Sequence, residues 1–250
     1  MTAYLRLEIV RQFRNRDALA WRLGLPAALY VFFRAVFGSG GGTSEGLPSD
    51  TAALVIFAVF GALAAGLYST APALAQERAT GWLRQLRVTP LPAVATVAGK
   101  LAAAMAYALP AIVLVALAAA ATQGVELNFG RWGSLILLLW IATAPFAALG
   151  VLIGLTIPNA EPAQSAASAA MIVLWVLGGM LTTPSDLPGV LESLAHAMPT
   201  NGGAELGWAA ARGDAIPLPA IAVVIAWSAV LGALAALAWR RLGGALSALR

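Results

Sequence analysis

The sequence predicts an all-α integral membrane protein with six transmembrane helices, and three observations carry that prediction. Of 250 residues, 60% are hydrophobic and only 10% are charged, against about 25% charged in an average soluble domain. Long apolar runs recur along the chain, and about 20 such residues cross a hydrocarbon core about 30 Å thick. The fifteen basic residues are divided very unequally between the segments that connect those runs, as in a multi-pass protein oriented by its positive charge.

Residues 1–250 read as one transmembrane domain. At its start, "MTAYLRLEIVRQFRNRD" (1–17) predicts an amphipathic interfacial helix. Leu5, Ile9, Gln12 and Phe13 recur at helical spacing, while Arg6, Glu8, Arg11, Arg14 and Arg16 occupy much of the remainder. Such a helix lies along the membrane surface. No secretory signal pattern is present, because the segment is charged throughout and lacks a small-residue cleavage site.

The first span is Ala18–Phe37. Arg22 and Arg34 lie near its two ends, about 18 Å apart along a helix, so they can reach opposite interfaces. An interfacial helix that does not cross is the alternative. "GSGGGTSEGLPSD" (38–50) is glycine-rich, but no Gly-Lys-Ser/Thr follows, so it reads as a flexible exposed connector and not as a phosphate cradle.

The second span, Thr51–Ala75, has no charge over 25 residues. The third is Leu101–Ala121 and the fourth Trp132–Thr156; Pro110 and Pro145 are expected to kink them. Gly150 and Gly154 have the spacing for close helix contact, and Ser165, Ser168 and Ala169 give the fifth span, Ala163–Leu181, a small face. Residues 182–215 are expected to form two short helices lying at, or dipping into, the outer surface, with Ser185 or Asp186 as the first cap. Ile216–Trp239 completes the six.

Six crossings put both termini on one side. That side receives Arg6, Arg11, Arg14, Arg16, Arg22, Arg78, Arg84, Arg87, Lys100, Arg240, Arg241 and Arg250; the other receives Arg34, Arg131 and Arg212. Twelve against three makes both termini cytoplasmic. The net charge of +4 is thereby explained by topology, with no nucleic acid partner implied. Cysteine is absent and His196 is the single histidine, which excludes thiolate chemistry and a multi-histidine metal centre. The central portions of the spans hold no ionisable residue, so no ion relay is legible.

One segment exceeds what topology needs. "QERATGWLRQLRVTP" (76–90) predicts a short helix from Thr80 or Gly81 to Arg87, stopped before Pro90. Trp82, Leu83 and Leu86 form an apolar patch on it, beside Arg84 and Arg87. A topology loop needs only the arginines; the patch asks for a protein partner.

Here the chain resembles the membrane subunits of ABC exporters of type 2, a permease family that includes drug, lipid and polysaccharide exporters. The resemblance rests on the order of elements and on "QERATGWLRQLRVTPLP", similar to the family's E-x-x-x-G-T-x-x-x-L-x-x-x-P-L. "AGKLAAAMAY" and "LPGVLESLAHAMPTNGGAELGWAAARGD" extend it across nearly the whole chain. Trp82 departs from the family's usual Thr, and Arg78 replaces a second acidic residue.

The resemblance implies a pair of permease subunits, a homodimer or a pairing with a paralogue, with two copies of a separate ATP-binding-cassette ATPase. It implies Glu77, Arg78, Gly81, Arg84, Arg87 and Pro90 as the ATPase-coupling region, with Arg11, Arg14 and Arg16 as an N-terminal contact. ATP and magnesium then belong to the partner, because "ATVAGKLA" lacks the upstream glycine and the Ser/Thr of a nucleotide loop. A pathway between the second and fifth spans, with Phe57, Phe60, Tyr68, Met171 and Trp175, is apolar and uncharged. It suits a hydrophobic or amphipathic cargo such as a drug, natural product or lipid; the bland alternative is that these side chains only pack helices or face lipid. Scarce lysine with abundant Ala and Gly points to a GC-rich bacterial genome and hence to a bacterial plasma membrane. The competing functions are an accessory or immunity permease and a membrane-embedded lipid-modifying enzyme. The enzyme would need a polar constellation that the sequence does not display.

Overall fold

A computed structural model describes residues 2–13, 16–37, 43–87, 93–181 and 188–247. Helix α3 (Ser49–Ala79), which contains the second predicted span, is the axis of the fold. It is apolar on all sides and buried along most of its length, from Leu54 to Ala75, as a helix without a polar face must be. Around it pack α2 (Arg16–Phe37), α5 (Ala93–Gln123), α7 (Ala144–Thr156), α8 (Ala160–Leu177) and α10 (Pro199–Arg212). An outer helix, α11 (Leu218–Ser247), lies mainly on α7 and α10.

Among the described residues, five helical stretches are long and apolar enough to cross a membrane: 49–79, 95–123, 129–156, 160–177 and 218–242. The apolar part of α2 is the shorter Leu23–Phe37, about 22 Å of helix against a core of about 30 Å. Arg34, expected to reach for the interface, forms an ion pair with Asp50 and donates to Ser49 Oγ at 3.2 Å. Those bonds join the end of α2 to the start of α3.

Between them, part of the presumed flexible connector is a hairpin. Strand β1 (Thr43–Ser44) pairs antiparallel with β2 (Leu47–Pro48). Glu45 and Gly46 turn the chain with φ of 55° and 69°, the two positive values that a two-residue hairpin with the right twist demands.

The fourth predicted span is two helices. α6 (Phe129–Ile141) stops at a turn over Ala142 and Thr143 before α7 begins. Pro145 sits in the first turn of α7, where its missing N–H costs nothing, so the expected kink is a break. α5, by contrast, runs unbroken through Pro110.

Glycine sets the spacing of α3 and α7. A Cβ on Gly154 would stand 2.7 Å from the Ala71 carbonyl oxygen and 2.8 Å from Leu74 Cβ. One on Gly150 would stand 2.9 Å from the Gly66 carbonyl oxygen. Close backbone approach of this kind is how helices pack where water supplies no driving force.

The two helices before the last one, expected at the outer surface or dipping into it, differ in burial. α9 (Gly189–His196) leaves Val190 and Leu191 exposed, but α10 is buried from Pro199 to Ala204 and from Leu206 to Ala211. Thr200 Oγ1 donates to Leu174 O at 2.7 Å, and Trp208 Nε1 to Ala52 O at 3.3 Å. α10 thus runs from the end of α8 to the hairpin, where Arg212 Nη1 donates to Glu45 O at 2.6 Å. The caps expected at Ser185 or Asp186 lie outside the described residues.

Candidate functional site

At the end of the bundle that carries most of the basic residues, three helices meet on a buried ionic network. Lys100, in the second turn of α5, donates from Nζ to Glu77 Oε1 and Oε2 at 2.6 and 2.7 Å. The same Nζ reaches Glu8 Oε1 and Oε2 at 2.9 Å each. Arg11 Nη1 donates to Glu77 Oε1 at 2.6 Å. Glu8 lies on α1 (Thr2–Phe13) and Glu77 near the end of α3; Glu8, Glu77 and Lys100 are all at least 95% buried. Two carboxylates against one ammonium and one guanidinium leave no net charge, the condition under which such burial is tolerable.

The network draws one member of the expected charged face of α1, Glu8, into the bundle, while Arg6 and Arg11 stay exposed. Glu8 is 4% exposed, whereas Leu7 and Val10 are 50% and 49% exposed. α1 therefore turns Glu8 toward α5 and α3 and leaves Leu7 and Val10 outward. Helical periodicity located the helix but not the face it buries, because it could not anticipate a buried lysine on another element. Glu8 and Lys100 carry no motif; the signal in the sequence is that Lys100 is the chain's one lysine, placed where an apolar helix starts.

After Gly81, whose φ of 77° suits only glycine well, comes the six-residue helix α4 (Trp82–Arg87). Leu83 on α4 is buried in a cluster with Leu74, Val97, Val151, Leu155 and Trp239, and Trp82 packs against its rim. Leu83, one of the three residues of the apolar patch that seemed to call for a partner, is thus consumed within the chain, and Trp82 in part. Beside it, Leu7, Val10, Arg11, Thr80 and Trp82 frame an open groove of about 460 Å³.

A second feature lies between α2, α3 and α8. Phe60, Tyr68, Met171 and Trp175 line a cavity of about 620 Å³ together with Pro26, Gln164 and Ser168. Phe60 and Trp175 meet edge to face at 5.0 Å, and Tyr68 donates to Ser168 Oγ at 3.2 Å. Among the described residues no charged side chain lines it. Phe57 does not join them; it packs against Tyr30 and Phe33.

Residues 1–206 match the family model for the ABC-2 type transporter. The chain belongs to the ABC-2 type transporter family. It is therefore a membrane-embedded, multi-pass protein, the transmembrane component of an ABC transporter, and its family implies an ABC ATPase as partner. Transport permeases of this kind are typically non-catalytic subunits. The chain is also similar to "Putative transport permease YvfS" of Bacillus subtilis (strain 168), with 25% identity over 224 residues that cover 88% of this chain and 89% of the relative.

In this ABC-2 family member, the residues expected to couple to an ATPase divide into groups. Glu77 is enclosed by the ionic network. Arg78 Nη1 donates to Leu155 O at 2.7 Å and Thr156 O at 3.2 Å, satisfying carbonyls that the end of α7 leaves unpaired. Both make contacts within the chain that hold the end of α3 against α1, α5 and α7. Arg11, half exposed, remains at the groove. Arg84, Leu86 and Arg87 lie on α4 and Arg16 starts α2. Arg14 and Pro90 lie outside the described residues.

Proposed function

We propose that this ABC-2 family member is the permease of an exporter that moves an uncharged hydrophobic or amphipathic molecule outward, such as a drug, natural product or lipid. The observation that carries the reading is the cavity between α2, α3 and α8, whose lining holds aromatic and aliphatic side chains, three polar groups and no charge. Such a lining desolvates an apolar ligand cheaply and would penalise a charged one.

Energy enters at the basic end, which positive-inside bias makes cytoplasmic together with both termini, in a bacterial plasma membrane crossed six times. Two ATPase subunits, which hold the ATP and magnesium, seat against α4 and the groove beside α1, and two copies of this chain complete the exporter. The buried Glu8–Lys100–Glu77 network supports this reading because it makes α1, α3 and α5 one mechanical unit. A displacement applied to α4 then travels along α3, which also forms a wall of the cavity.

The test is the assembled complex in proteoliposomes, with ATP hydrolysis measured as hydrophobic substrate is added. Replacing Arg84→Glu and Arg87→Glu together should abolish substrate-stimulated hydrolysis while the permease still purifies as a folded protein. Unchanged stimulation would overturn the coupling assignment.

A further inference from the structure

We infer that the groove between α7 and α11 at the basic end is a binding site for one anionic phospholipid. It has a volume of about 400 Å³, walled by Leu152 and Leu155 of α7 and Leu234 and Leu237 of α11, with Arg78 and Arg241 also in its lining.

The apolar wall faces outward from the bundle: Leu234 and Leu237 are 44% and 49% exposed, on a helix of spanning length. Positions 234, 237, 238, 241 and 242 recur at helical spacing, so the hydrocarbon-facing stripe leads into Arg241 about 10 Å further along α11. Apolar surface below and cationic surface above is the polarity of a lipid entering from the leaflet on the basic side.

Charge complementarity selects the headgroup. Arg78 spends Nη1 on the carbonyls of Leu155 and Thr156. Among the described residues no carboxylate lines the groove, and neither Arg78 nor Arg241 has an acidic partner. Two guanidiniums against an apolar wall, without a counter-ion, are matched by a phosphodiester, whose oxygens accept their paired N–H groups. A zwitterionic lipid brings its own ammonium and leaves the excess positive charge uncompensated. The site thus prefers a net anionic lipid, and the preference does not depend on what the permease transports.

The chain lacks cysteine, so a single reporter can be placed. Val230, 55% exposed and one turn from Leu234 on the side away from Arg241, is changed to Cys, labelled with a bimane fluorophore and reconstituted in phosphatidylcholine vesicles. Brominated phosphatidylglycerol or brominated phosphatidylcholine is then added at equal mole fraction. Brominated phosphatidylglycerol should be the stronger quencher, with an affinity advantage of about fivefold for each arginine. Arg241→Gln should remove about fivefold of it, and Arg241→Lys should retain most of it. Equal quenching by the two lipids in the otherwise unaltered protein, or an undiminished preference in Arg241→Gln, would overturn the assignment. Shielding of the label from both lipids would also overturn it and would place a second copy of the chain or the ATPase on this face.

Discussion

Replacing Lys100 with Met tests the claim that the ionic network holds the basic end together. Glu8 and Glu77 each contact the same ammonium, so their nearest oxygens lie within about 5.6 Å of each other. Without the lysine, two carboxylates face each other at no more than that distance, a repulsion of at least about 3 kcal/mol at an effective dielectric of about 20. Arg11 compensates only Glu77 directly, and its side chain is half exposed. Breaking a buried pair by removing one partner costs about 3–5 kcal/mol, which agrees with that repulsion. At about 2–4 °C per kcal/mol for a chain of this size, the melting temperature of the detergent-solubilised protein should fall by about 10 °C. The decisive comparison is the double variant Glu8→Gln/Lys100→Met, which restores neutrality and leaves the Arg11–Glu77 pair; it should recover most of the loss. If Lys100→Met melts within about 2 °C of the unaltered protein, or the double variant melts no higher than the single one, the reasoning fails.

Gly154→Ala should destabilise the bundle by about 2–3 kcal/mol, because the new methyl meets the Ala71 carbonyl and Leu74 Cβ, neither of which can rotate away; thermal melting in detergent checks it. Arg34→Ala leaves Asp50 without its ion-pair partner at a site where the two side chains are 11% and 21% exposed. The expected loss is about 1–3 kcal/mol, less than for a fully buried pair, and Arg34→Ala/Asp50→Ala should regain part of it. A reporter fused after Arg250 should be active only in its cytoplasmic form, and activity outside would refute the topology.

The membrane class and most helix positions were legible because they follow from local quantities: run length, hydropathy and the placement of proline and glycine. The spacing of Gly150 and Gly154 announced close packing, and their contacts with α3 bear that out. Pro145 announced a disturbance, although its position in the first turn of a new helix turned a kink into a break. Phe60, Tyr68, Met171 and Trp175 meet around one cavity because α3 and α8 pack directly. Phe57, on the same helix as Phe60, points to the aromatic cluster of α2 instead.

The sequence by itself determined that this is a helical membrane protein of the ABC-2 type, with its basic residues biased to one end and no charge at the centre of its spans. Those properties are sums over neighbouring residues, and no partner from a distant part of the chain can alter them. Only the tertiary structure decided that Glu8, Arg11, Glu77 and Lys100 neutralise one another across 92 residues of chain, and that Leu83 belongs to the core. It also decided that α10, read as a helix lying at the outer surface or dipping into it, is buried among α3, α6, α8 and α11. Whether a charged or apolar side chain faces inward depends on what the opposite helix presents, and that depends on packing between segments far apart in sequence. An Ala- and Gly-rich helix such as α10 has too little apolar volume to look buried on hydropathy alone, yet its small side chains are what allow its neighbours to close around it.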